Sequence, residues 1–465
     1  MCRERNASLT ELLADLLTKA DSNAIPPNTL RRARYYFLDW LASAIAGTQT
    51  HPGRIVLEFA KRRTGAGASV IGLEGTCSPE VAAFVNGALS HIVEMDDLHR
   101  ASVVHPATVV IPAALACAER VGASGRELLV AIVLGYEVAI RIGEAVGRSH
   151  YERWHSTGTC GTFGAAAAAG WLMKLDHRQM VWALGNAGSQ AAGLWQFMAD
   201  GAMTKHLHAG KAAANGLMAA ELAHDGFTGP REILEGRRGF FSATSQDARP
   251  EKVIEGLADA LNRPKIEGVS VKPYASCRHT HSAIDAALRL RSLHNLDPRQ
   301  IATVRIQTYR AALDVADNPA PITPYAAKFS IQYCTARALL SGSAGLDDFA
   351  TERIQDIAVQ AIMTKTVAEV DDSLDRQYPA EWPTRLVLTL LDGTTLSELV
   401  TLPKGDPENP LTEAELEDKF RRLVTGTRYE DHIDDLLGYV REMDERQDRR
   451  SLPPLRPGSL RPRTD

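Results

Sequence analysis

The sequence predicts a mainly α protein with an α+β part: a large helical domain and a smaller α+β domain inserted into it. Three observations carry this. Hydrophobic residues make up 45% of the 465 positions but aromatics only 6%. With that balance and its long alanine runs, the chain suits closely packed helices better than a sandwich of large side chains. The first half repeats apolar residues with helical spacing. Past residue 268 the pattern changes to alternation of period two with a hairpin signal.

In the first half, Val81, Ala82, Val85, Ala88, Leu89 and Ile92 mark a helix. Pro106 opens the next, where its fixed φ suits the first turn. Ser124 and Glu127 form a capping box ahead of a helix through Val146, each satisfying the other's free backbone donor. The stretch from Phe163 to Met173 is an apolar helix that Ser156 or Thr157 can cap. Asn186 to Met198 and Gly210 to His224 also read as helices. Gly158, Gly161 and Gly164 form a small-residue face for close helix packing. Ser282 to Leu293 is then an amphipathic helix, and Ile301 to Tyr309 alternates as a half-buried strand. Arg385 to Leu391 and Thr394 to Thr401 flank Asp392-Gly393, a turn pair that tolerates positive φ. Thr412 and Glu415 cap a last helix, Ala414 to Val424, that returns to the helical body. The expected domains are 1–268 with 404–448 (helical) and 269–403 (α+β). Beyond them a loose tail is expected over 449–465, where Pro453, Pro454, Pro457 and Pro462 alternate with arginines.

A net charge of −5 leaves no basic footprint, and no nucleic-acid partner is expected. Glu137 closes the apolar stretch Leu128 to Tyr136, and Lys174 closes Phe163 to Met173. Both are short of the roughly 20 residues a membrane span needs, so no membrane association is expected. No apolar run follows the first charged residues, so a secretory signal is not expected and a cytoplasmic location is. Cys2, Cys77, Cys117, Cys160, Cys277 and Cys334 are scattered without a Cys-x-x-Cys pair, which argues against a disulfide scaffold or structural zinc. Dinucleotide, P-loop, zinc-protease and serine-hydrolase motifs are missing.

Four segments gather polar residues among apolar neighbours. Glu94, Asp96, Asp97, His99 and His105 follow an apolar helix. They suit general acid–base work or a divalent metal, or else simple helix capping on a solvated turn. His155 with Ser156 and Thr157 opens an apolar helix whose first amides favour a carboxylate; alone, such a histidine reads as packing. Lys205, His206, His208 and Lys211 suit an anionic substrate or a solvated face. Lys272, Cys277, Arg278, His279 and His281 stand at the expected domain junction, where ligand sites concentrate. Together these groups fit moving a proton next to a carboxylate. That chemistry needs fixed cations aimed at the developing enediolate and a base that titrates near neutrality.

At these segments the chain resembles the MmgE/PrpD family, which includes 2-methylcitrate dehydratase, cis-aconitate decarboxylase and iminodisuccinate epimerase. The resemblance runs from about residue 8 to 445. It is carried by His91 to Pro106, the His155-Ser-Thr-Gly-Thr run, Met203 to Gly210, Lys272-Pro-Tyr with His279 and His281, Lys328 to Tyr333, and Gly405 to Leu411 with Lys419-Phe420. It implies a helical domain from both chain ends, an inserted α+β lid, an active site between them, a homodimer, and no organic cofactor or metal. By position, Asp96 and Asp97 match the family's acid segment, with Glu94 where aspartate is common. His105, His155, Lys205 and Lys272 match the decarboxylase's histidines and lysines. His99, His208, Cys277, Arg278, His279 and Tyr333 are expected to bind substrate. Two departures stand out: Cys277 where the decarboxylase has a histidine, and a one-residue difference between the acids and His105. The expectation is a cofactor-independent lyase acting on a small di- or tricarboxylate. Dehydration of a 2-methylcitrate-like acid comes first, with epimerisation or cis-aconitate-type decarboxylation as alternatives. In that scheme His155 takes the proton, His105 returns it, and Asp96 or Asp97 orients an imidazole. A non-catalytic carboxylate binder is the rival from another class.

Overall fold

Ser124 caps Gly125–Ala145 through the expected box, with both reciprocal bonds formed. That helix is one of five that make the centre of the helical unit in this computed structural model, which describes residues 7–23 and 25–445. The others are Pro79–Ile92, Ala107–Val121, Ser156–Leu172 and Thr204–His224, each packed on its neighbours. Every residue of Ser156–Leu172 except Trp171 is buried, so this helix is apolar all round, as a central helix must be. Its glycines explain how backbones come so close: a Cβ on Gly164 would stand 2.6 Å from the Gly135 carbonyl oxygen, and one on Gly158 2.7 Å from that of Ala192. The late helix Glu413–Val424 packs against Pro27–Gly47. A buried ion pair between Lys419 and Asp39 fixes this contact, and Lys419 also donates to the Met95 carbonyl at 2.7 Å.

The chain divides into two units, Met1–Val269 with Glu413–Asp465, and Ser270–Thr412. The second holds a four-stranded mixed sheet ordered Thr366–Val370, Ile301–Thr308, Thr384–Leu390, Thr395–Val400. The first pair is parallel and the other two are antiparallel, with Ile306 opposite Ala368 on one side and Leu386 on the other. Val304, Ile306 and Thr308 face inward and Arg305 outward, the alternation expected of a half-buried strand. Gly393 turns the hairpin at φ +87°. Helix His281–Leu293 packs on the last two strands.

Three helix expectations change. The helix expected over Asn186 to Met198 is His177–Gln190, followed by irregular chain and the short Phe197–Asp200. Gly193, at φ +140°, cannot continue a helix. The apolar helix starts at Ser156, with His155 at the cap position and no side-chain cap bond. The Gly210 helix begins six residues earlier, at Thr204. No helix among the described residues is long and apolar enough to cross a membrane. Cys77, Cys117, Cys160, Cys277 and Cys334 are buried and form no disulfide among the described residues. Cys2 and the expected tail lie outside them.

Candidate functional site

The loop between helices Pro79–Ile92 and Ala107–Val121 carries the acids, and its backbone is strained at two non-glycine residues, Glu94 at φ +60° and Val103 at φ +49°. A β-branched residue there is a true outlier, and such strain persists where the surroundings over-determine the backbone, often at functional sites. Asp96 is the loop's hub. Its Oδ2 lies 2.7 Å from Nδ1 of His91, in the last turn of the preceding helix, and 3.0 Å from Nδ1 of His105. The same His105 Nδ1 is 2.5 Å from the Asp97 carbonyl oxygen. A carbonyl can only accept, so this nitrogen carries the proton and Nε2 holds the lone pair of the neutral ring. The His105 amide donates to Thr157 Oγ1 at 3.1 Å, tying the loop to the next helix.

Asp97 has a different part. Its Oδ1 accepts from the Ala107 amide at 3.0 Å, and its Oδ2 from the Tyr136 hydroxyl at 2.7 Å. Burial raises its pKa well above the carboxylate range, and these two bonds pull it back. Asp97 therefore holds the start of helix Ala107–Val121. The carboxylate that orients an imidazole is Asp96, while Asp97 contributes its backbone carbonyl.

His155 sits where the irregular chain after Gln190 meets its helix. Its amide donates to the Gly193 carbonyl at 2.9 Å, so the break that ends the preceding helix anchors this histidine. Its ring lies 5.5 Å from that of His91, nearly parallel, and 5.0 Å from Trp195. Its Nδ1 is 3.4 Å from Nδ1 of His208. Burial, reinforced by His91, Lys205, His208 and His105, holds the His155 pKa well below the usual imidazole value. His208 is lowered to about 4, mainly by burial. In the first turn of Thr204–His224, Lys205 forms a buried ion pair with Glu94, and the His206 ring meets that of His91 edge-on at 6.3 Å. The helical unit thus brings together Asp96, Asp97, His105, His155, Lys205 and His208.

The other expected residues have other neighbours. His99 binds Ser102 at 3.0 Å and lies 3.9 Å from Glu144; burial, Lys265 and Arg100 lower its pKa to about 3. In the second unit, Arg278 pairs with Asp406 and reaches His281 at 2.7 Å. His279 stacks on Trp382 at 4.3 Å and bonds the Tyr309 hydroxyl at 2.6 Å; burial and Arg278 lower it to about 3. Tyr333 donates to the Asp348 carbonyl at 2.5 Å. These three have the partners of packing residues in that unit. Lys272 and Cys277 are buried there, and the Cys277 amide donates to the Lys328 carbonyl at 2.8 Å.

Sequence reasoning missed His91 as a site residue and left Glu94 without a role. His91 reads as core beside Ala88, Leu89 and Ile92. Its signal is its place in the last helical turn, five residues ahead of Asp96. His91, Asp96 and His105 are also the grouping of metal-ligating type among the described residues, with one ligand atom each within 4.8 Å. Both Nδ1 atoms meet Asp96 Oδ2 and, while donating, offer an ion no lone pair, so an ion would have to be held through the Nε2 atoms. As it stands, the trio is a hydrogen-bonded relay.

Residues 11–252 match the MmgE/PrpD N-terminal domain and residues 274–437 the MmgE/PrpD C-terminal domain. The chain is 29% identical to the cis-aconitate decarboxylase-like protein oryM of Aspergillus oryzae, over 97% of this chain and 98% of that one. It is 28% identical to human cis-aconitate decarboxylase, over 95% and 93%. A mitochondrial 2-methylcitrate dehydratase of Yarrowia lipolytica is 29% identical over 34% of this chain and 32% of its own.

Proposed function

This chain belongs to the MmgE/PrpD family, and from that premise we propose that it is a cofactor-independent lyase moving a proton next to a carboxylate of a small di- or tricarboxylate. The observation that carries the reading is the buried His91–Asp96–His105 relay, packed with His155 among groups that include the Lys205–Glu94 pair. A carbanion beside a carboxylate spreads its charge as an enediolate. Lys205, charged and held by Glu94 in an interior of low dielectric, supports that charge far better than a solvated lysine would.

His105 is the proton carrier. Its Nδ1–H is fixed on Asp97 and Asp96, so Nε2 exchanges the proton with carbon, and the carboxylate behind the ring stabilises the imidazolium. His155, held neutral, accepts protons poorly and acts as a polar wall of the site. This division of labour differs from the sequence expectation, in which His155 takes the proton.

The relatives aligned over nearly the whole chain carry decarboxylase names, and on that support we take decarboxylation of a cis-aconitate-like acid as the first reading. The bond to the departing carboxyl breaks and carbon dioxide leaves, the electron pair passes into the enediolate, and His105, first protonated on Nε2 from solvent, delivers that proton to carbon and returns to the neutral ring. Dehydration is the second reading, supported by the 2-methylcitrate dehydratase that matches part of the chain. Homodimer assembly belongs to the same reading and is measurable by light scattering.

Lys205→Ala tests the electrostatic role. We expect turnover to fall about 10²- to 10³-fold, the loss seen when one donor to a developing anion is removed, with the melting transition kept. Near-normal turnover would refute the role. Lys272→Ala asks the same of the second unit's lysine separately.

A further inference from the structure

We propose that His91 is a positioning residue that sets the charge state of the proton carrier through Asp96. The inference rests on the assignment of His105 above. His91 is fully buried, and its Nδ1 lies 2.7 Å from the Asp96 oxygen that His105 also approaches. A carboxylate only accepts, so Nδ1 of His91 donates, and two imidazoles share one carboxylate oxygen. Packing does not explain the residue. Its Nε2 has no hydrogen-bond partner among the described residues, a cost that an apolar side chain of similar size would avoid. Its ring nonetheless meets His105 at 5.0 Å, His155 at 5.5 Å and His206 at 6.3 Å, the centre of the histidine cluster.

The consequence for His105 has a definite sign. The donation from His91 stabilises the Asp96 carboxylate and takes up part of its accepting capacity. Without it, a buried carboxylate compensated by less hydrogen bonding draws a proton onto the pair, and His105 becomes imidazolium at higher pH. The other charged and titratable groups of the cluster are Glu94 and Asp97 on the loop, His155 at its helix start, Lys205, His206 and His208 on the next helix, Tyr136 behind Asp97, and the Asp39–Lys419 pair. All are kept in the variants below, so a shift reports on His91 alone.

The variants are His91→Leu, which removes the donor, and His91→Asn, whose amide nitrogen takes the place of Nδ1. Imidazole ¹⁵N spectra of histidine-labelled protein, with the His105 signals identified by their loss in His105→Gln, follow its protonation from pH 5 to 9. We expect the His105 midpoint to rise by about one unit in His91→Leu and to return towards wild type in His91→Asn. Where a substrate has been found, the limb of kcat/KM that reports His105 moves by the same unit and in the same direction. An unmoved His105 midpoint in His91→Leu, or an equal shift in His91→Asn, overturns the proposal. Absence of turnover on every polycarboxylate would instead sink the proposed reaction, and the spectra would still decide the role of His91.

Discussion

At His105 a single carbonyl oxygen fixes which ring nitrogen carries the proton. Sequence placed His105 near two carboxylates and could not say which of them it would meet, because the Asp97 contact is made by the backbone. Asp96 and Asp97 are adjacent and chemically identical, yet one joins two imidazoles and the other caps a helix start under a tyrosine. The candidate histidines and Lys205 were legible because they break apolar surroundings. His91 was hidden because it completes an apolar helical face, where a histidine reads as core. In the proposed relay both Nδ1 atoms hold protons and no step calls on a metal, so exhaustive treatment with a chelator is expected to leave activity unchanged. Activity lost to the chelator and restored by one added divalent ion would recast His91, Asp96 and His105 as its holders.

Elements place these residues by where they stop. Gly193 interrupts what apolar periodicity alone extends into one helix, and its carbonyl then receives the His155 amide. Periodicity reports faces, and it does not report a backbone break made for a neighbour's hydrogen bond, so this boundary was misread. The capping box at Ser124 and the Asp392-Gly393 turn were legible because each is local chemistry. The Lys419–Asp39 pair joins elements 380 residues apart and also grips the acid loop at Met95. Removing one partner leaves a buried charge, so Lys419→Met is expected to cost about 3 to 5 kcal/mol in denaturant unfolding, and adding Asp39→Leu to recover most of it. A single variant as stable as wild type would show that the pair does not hold these elements.

For the whole chain, the fold class was readable from composition and period, since a helical body and a mixed sheet use different spacings. Which side chains pack inside the second unit was not, and Arg278, His279 and Tyr333 proved to have partners there. Among the described residues, the buried groups with clearly shifted pKa values set an expectation for how stability responds to pH. His99, His150, His155, His208 and His279 have lowered pKa values, while Asp97, Glu137 and Glu221 have raised ones. As pH falls below 6.5, unfolded imidazoles bind protons that the folded ones refuse, which disfavours folding. The raised carboxylates bind protons only when folded and offset part of this. Five groups oppose three, so stability is expected to decline from pH 7 towards 5, by roughly 1.4 kcal/mol per pH unit for each net proton. Urea midpoints that stay constant or rise over that range would contradict the balance. The central claim, that this histidine cluster moves a proton at a carboxylate-bearing carbon, is tested most directly by deuterium incorporation in heavy water over a panel of small polycarboxylates. Wild type should place deuterium on carbon in at least one acid, with His105→Gln abolishing this and His155→Gln only slowing it. Undiminished incorporation by His105→Gln, or none by the wild type with any acid, would contradict it.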